Sequence, residues 1–194
     1  MKNLILTFFV LSLNAQISAH TINYYPGGPL EIIKIGHPTL TMVAQEIPLD
    51  EIKTQNIQKL IADMTETMKK AGGVGLAAPQ VNVSKRLFVM KPNALKKAEA
   101  VINPVVDYHE EAGTKLSTEG CLSIPGKRFK VNRYNKINVA YYNQRGEYVT
   151  ELAEGFRAVV FQHEYDHLNG ILIADFFMEE FYSAEGVEED VPRM

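Results

Sequence analysis

The chain has 194 residues, 46% of them hydrophobic and 22% charged, with 20 Lys and Arg against 23 Asp and Glu. That length and composition support one domain with a real core and exclude a wholly disordered, collagenous or coiled-coil protein. A formal net charge of -3 excludes an overall basic field, so no direct nucleic-acid binding is expected, and the single cysteine, Cys121, excludes an intramolecular disulfide framework.

In chain order, residues 1–19 differ in kind from the rest. Lys2 precedes an apolar run over residues 4–13, and a small-residue stretch ends at Ala19, the layout of a secretory signal peptide. Cleavage would follow Ala19, and Ile17, at the third position before the cut, is larger than the usual residue there. The run falls short of the roughly 20 apolar residues a membrane span needs, so no transmembrane span is expected.

Residues 20–178 read as the folded domain, without internal repeats. Ile57, Leu60, Ile61, Met64 and Met68 recur at helical spacing, and Gly72-Gly73 supplies a stop. Residues 86–90 form a short apolar strand candidate. Ile137, Val139 and Tyr141 alternate with polar residues, a turn follows at 143–146, and residues 148–152 return as a hairpin arm. A second helix is predicted over 155–168, ended by Asn169-Gly170. Its apolar stripe of Phe156, Val159 and Val160 continues into His163 and His167. Strands and helices that do not alternate regularly indicate an α+β fold, with antiparallel sheets packed around a central metal-binding helix. Residues 179–194 read as an acidic tail carrying Glu185, Glu188, Glu189 and Asp190.

The strongest chemical signal is His163-Glu164-Tyr165-Asp166-His167. Residues four apart share a helical face, so both imidazoles can reach one cation, with Glu164 beside it as a non-ligating acid or base. Two buried core histidines would be the bland alternative, but ligand spacing between flanking carboxylates favours metal. A catalytic site needs a third protein ligand and an open position. The histidine of a metzincin extension would fall at 173, which is Ile173. Glu185 or Glu188 in the tail, or Cys121 in Glu119-Gly120-Cys121-Leu122-Ser123, are the remaining candidates. A thiolate suits iron, zinc, nickel or cobalt.

Gly73-Val74-Gly75-Leu76-Ala77-Ala78-Pro79-Gln80 superficially fits a dinucleotide fingerprint, but it follows a helix where that motif requires a strand. An extended, glycine-rich segment with exposed amides is the better reading, and Gln80 offers an amide donor toward a developing oxyanion.

Together these three segments resemble the signature motifs of the peptide deformylase family, in that family's order, over about residues 31–177. The resemblance implies one divalent metal ion per chain, held by Cys121, His163 and His167. Fe²⁺ is the expected ion in the cell, with Zn²⁺, Ni²⁺ or Co²⁺ as alternatives. It implies hydrolysis of the N-formyl group from formyl-methionyl peptides. Gln80 and the backbone N–H of Leu122 would bind the formyl oxygen, and Glu164 would be the general base and acid. The backbone at Gly73, Val74 and Gly75 would align the peptide as an added strand. Arg128, Phe156, Val159 and Val160 would border the methionine pocket, and Glu119 would pair with Arg133 behind the metal cysteine.

Two features depart from the family. Some bacterial members end in a basic helix that docks on the ribosome, whereas this tail is acidic, so ribosome contact would need another route. A signal-like N-terminus conflicts with a substrate made on cytoplasmic ribosomes. Substrate logic places the protein in the cytoplasm, and export to the periplasm is the alternative. Two rival functions are a zinc endopeptidase using the same helix, and a non-catalytic peptide-binding module with a structural metal.

Overall fold

The structure, a computed structural model, describes residues 27–91, 97–176 and 180–182. The signal-like residues 1–19 and the acidic residues 185–190 lie outside the described residues. Helix α1 spans Gln55–Lys70 and α2 spans Gly155–Leu168. The strands are β1 (Gly75–Ala77), β2 (Leu87–Met90), β3 (Glu99–Tyr108), β4 (Thr114–Cys121), β5 (Ile124–Tyr134), β6 (Lys136–Tyr142), β7 (Tyr148–Glu154) and β8 (Glu180–Tyr182).

Helix α1 buries the predicted stripe of Ile57, Leu60, Ile61, Met64 and Met68. Lys69 and Lys70 in its last turn complement the negative end of the helix dipole. The Gly73 N–H donates to the Met68 carbonyl at 2.9 Å, so the chain turns off the helix directly into β1.

One sheet has the order β1-β2-β3-β6-β7, and a smaller one has β4-β5-β8. Every pairing within them is antiparallel, as expected for the α+β class. The hairpin β6–β7 matches the predicted one, with Tyr142 opposite Tyr148. Strand β8 lies within the stretch read as tail and pairs with residues 127–129 of β5.

Helix α2 packs against strands of both sheets, including β1, β2, β5 and β7. This position explains a departure from the expected one-sided stripe. Ala158, Val159, Val160, Phe161, Gln162, His163, Glu164, His167 and Leu168 are all buried, so the helix is covered nearly all round. Phe156, expected to head the stripe, is instead 42% exposed near the helix start. Phe161 meets Phe88 of β2 edge-on, with ring centroids 5.0 Å apart. Such a pair contributes about 0.5–1.5 kcal/mol beyond its burial.

Most buried polar side chains find hydrogen-bond partners. Gln162 finds them on the end of β5. Its Oε1 accepts from the Tyr134 N–H and its Nε2 donates to the Tyr134 carbonyl, each at 3.0 Å. That clamp ties the helix to the smaller sheet.

Candidate metal centre

Cysteine 121 ends β4, and its placement depends on an irregular hairpin. Pairing jumps from Gly120↔Arg128 to Cys121↔Ile124, so residues 125–127 of β5 bulge outward. Gly126 sits in this bulge at φ +78°, a conformation that costs glycine little and other residues more. Bulges of this kind re-aim side chains near functional sites. Here the cysteine sulfur comes to 3.3 Å from His167 Nε2.

The ligand atoms of Cys121, His163 and His167 all lie within 4.8 Å of one another, and all three residues are buried. Sequence spacing alone left the third ligand open among three residues; of these, Cys121 joins the histidine pair. The histidine orientation is set from behind. His163 Nδ1 lies 3.0 Å from Glu119 Oε2, which fixes the proton on that nitrogen and turns Nε2 toward the cluster. Arg133 grips both oxygens of Glu119 at 2.8 Å and reaches Asp166 on α2 at 2.5 Å.

Burial alone would raise the Glu119 carboxyl, but Arg133 and His163 outweigh it and hold the group at about 2. The residue is therefore a fixed anion behind His163. For the protein's own groups alone, burial pulls both imidazoles down. In His163, Cys121 and Glu119 outweigh burial and raise it, whereas His167 falls well below the ordinary histidine value.

Among the described residues, His163 Nε2 is buried without a hydrogen-bond partner. An orphaned, inward-facing ring nitrogen beside a thiol and a second imidazole is the donor set a transition-metal cation requires. The residues fit such an ion.

Glu164 is fully buried, and neither carboxylate oxygen has a hydrogen-bond partner among the described residues. Burial pushes its carboxyl up to about 7, within the range useful for moving protons at neutral pH. Its carboxylate lies against Gly75. A Cβ built there would stand 2.1 Å from Glu164 Oε1, so only glycine leaves room for the acid.

Pro79 and Gln80 lie in a short 3-10 turn, Ala78–Val81, directly after β1. The expected extended segment is thus correct through Ala77 and gives way to a turn from Ala78 onward. Gln80 is completely buried, its Oε1 accepting from the Ala77 N–H at 2.8 Å and its Nε2 lying 3.5 Å from the cysteine sulfur. Leu122 occupies the two-residue turn after β4, where its carbonyl accepts from Lys34 Nζ at 3.0 Å.

The other predicted residues are distributed around this centre. Gly73 and Gly75 are buried and Val74 half-buried, and the Val74 carbonyl accepts from the Lys91 N–H at 2.7 Å. Val159 and Val160 are buried in the core shared by α2 and the larger sheet. Arg128 stands opposite Gly120 on β5, half-buried. Sequence motifs assign no role to two residues of the site: Asp166, which anchors Arg133, and Ser123, whose Oγ accepts from Gln80 Nε2 at 3.2 Å. The signal for Asp166 lay inside the His163–His167 motif, where a carboxylate three residues after His163 returns to nearly the same face. For Ser123 no spacing rule applied, because its partner is distant in sequence.

A family model described as "Polypeptide deformylase" matches residues 29–187. A peptide deformylase of Halothermothrix orenii is 48% identical over 146 residues, covering 75% of this chain and 92% of that protein. The crystal structure of a Thermotoga maritima peptide deformylase superposes with a TM-score of 0.70 at 44% identity, over 78% of this chain and 99% of that one. An Acinetobacter baumannii peptide deformylase, described as bound to Met-Ala-Ser, gives 0.73 at 34% identity, over 78% and 100% of the two chains.

Proposed function

Because this chain belongs to the polypeptide deformylase family, we propose that its buried Cys121, His163 and His167 hold the one divalent ion on which that family's hydrolysis depends, with Glu164 as its acid and base. The chain is a metal-dependent hydrolase that removes the formyl group from the N-terminal formyl-methionine of newly made peptides, releasing formate. The peptide described in the Acinetobacter structure supports this substrate class.

The ion in the cell is Fe²⁺, with Zn²⁺, Ni²⁺ or Co²⁺ as substitutes; the thiolate and two imidazoles suit all four. When bound, it supplies Lewis acidity, the general means of making water nucleophilic near pH 7. The chain's own residues do the rest. Glu164 takes a proton from the attacking water onto a carboxylate oxygen and later delivers it to the nitrogen of the leaving amine. Gln80 Nε2 and the Leu122 N–H donate to the formyl oxygen as its charge grows, each donor worth about 3–4 kcal/mol. Strand β1 lies at one edge of its sheet, so the backbone at Gly73, Val74 and Gly75 can take the peptide as an added strand. Arg128, Phe156, Val159 and Val160 border the methionine pocket.

The observation that carries this reading is the pair of buried, unpartnered Glu164 oxygens beside three convergent ligand atoms. Formate release from formyl-Met-Ala-Ser, measured on anaerobically prepared and metal-analysed protein, tests it. Glu164→Ala is expected to lose about 10²–10⁴-fold in kcat while keeping its metal. An unchanged rate would remove Glu164 from the mechanism.

Residues 1–19 as a signal-like segment, 20–178 as the catalytic domain and 179–194 as an acidic tail, of which residues 180–182 pair into the smaller sheet, remain the proposed organisation. Among the described residues no helix is long and apolar enough to cross a membrane. We place the protein in the cytoplasm, where its substrate is made; a native chain beginning at His20 by mass spectrometry would favour export. We propose at most a transient contact with the ribosome.

A further inference from the structure

The Gln80 side chain has one carbonyl acceptor and one amine with two N–H donors. The Ala77 backbone N–H can only donate, so its 2.8 Å contact requires the carbonyl oxygen on that side. The amine must then face Cys121 and Ser123, at 3.5 Å from the sulfur and 3.2 Å from the hydroxyl oxygen. One N–H donates to Ser123 Oγ and the other to the Cys121 sulfur, so the second donor stands at the edge of the metal site on one of its ligand atoms. Ser123 is itself held rigidly. It is completely buried, and its carbonyl accepts from the Ile35 N–H at 3.0 Å, while the Gln80 carbonyl accepts from the Ile33 N–H at 2.9 Å. Residues 33–35 thus stitch together the two turns that carry Gln80 and Ser123.

We propose that Ser123 is a positioning residue for the reaction. Its hydroxyl locks the Gln80 amide in the rotation that keeps the second N–H beside the Cys121 sulfur, from where it can pass to a formyl oxygen bound at the metal site. This inference rests on the role given to Gln80 above. Without the hydroxyl, the amide keeps its Ala77 anchor and the long contact to the Cys121 sulfur, a weak acceptor, and its second donor is held less firmly at the site. A preorganised donor acts because it needs no reorganisation as charge develops, so a loosened one loses part of its effect.

The test is a double-mutant cycle on metal-loaded protein, reading kcat and KM for formyl-Met-Ala-Ser in wild type, Ser123→Ala, Gln80→Ala and the double variant. Ser123→Ala is expected to lower kcat about tenfold with KM and metal content little changed, and to cost less than about twofold once Gln80 is already alanine. Ser123→Cys, nearly isosteric with a weaker acceptor, should fall between wild type and Ser123→Ala, and it serves as the test variant if the alanine protein does not fold. An equal loss in both Gln80 backgrounds would make Ser123 merely structural and overturn the proposal, as would an unchanged kcat in Ser123→Ala. If Gln80→Ala itself left kcat unchanged, the role of Gln80 would fall and take this inference with it, a result distinct from the other two.

Discussion

Gly75 and Glu164 face each other so closely that the missing side chain of one is the space occupied by the other. A methyl group at 75 would stand 2.1 Å from Glu164 Oε1, and also within 2.9 Å of its Cγ. The helix behind Glu164 is buried and cannot retreat, so the carboxylate must swing aside. Displacements of about 1 Å at a reacting group can cost 10²-fold in rate. Gly75→Ala is therefore expected to lower kcat by about that factor while binding metal normally, as read by formate release and metal analysis. Unchanged turnover would show that the acid does not work from where it lies. This role was not legible from the glycine-rich motif, which suggested only that Gly75 offers its backbone to a peptide. The distance between strand and helix decides it, and no spacing along the chain encodes that distance.

Helix α2 carries His163, Glu164 and His167 where both sheets enclose it, and the same enclosure makes it sensitive to truncation of its core side chains. Phe161 is fully buried against Phe88 and Tyr141. Phe161→Ala should lose about 3–5 kcal/mol of stability in denaturant unfolding, a cost typical of an aromatic removed from a core. A loss under about 1 kcal/mol would mean that the helix is not packed as described. The helix, its ends and the β6–β7 hairpin were readable, because apolar periodicity and turn residues mark them plainly. Strands β3, β4 and β5 were not. In β3 the run is broken by Asn103-Pro104, and β4 is polar along most of its length. In β5 the inward positions are Phe129, Val131 and Arg133, an alternation masked by a buried arginine and by the Pro125-Gly126 bulge. Arg133 faces inward because Glu119 and Asp166 neutralise it there, a tertiary reason with no local signature. Removing one partner of such a buried pair leaves an uncompensated charge, so this cluster is the least substitutable polar feature of the smaller sheet.

At the scale of the whole molecule, the centre is assembled from three parts of the chain. The turn after β1 brings Gln80, the hairpin β4–β5 brings Cys121, Leu122 and Ser123, and α2 brings His163, Glu164 and His167. The motifs were visible separately, and family resemblance linked them; the antiparallel topology supplies the physical link. Each sheet contributes one edge to the site, and the helix between them holds both in register. On the proposed reading, one thiolate and two imidazoles share a single catalytic ion. The most direct measurement compares wild type with Cys121→Ala, both prepared anaerobically and confirmed folded, for bound metal per chain and formate released from formyl-Met-Ala-Ser. The prediction is about one ion and rapid release for wild type, with loss of both in the variant. A folded Cys121→Ala protein that kept its full metal content and turned over at the wild-type rate would contradict the claim.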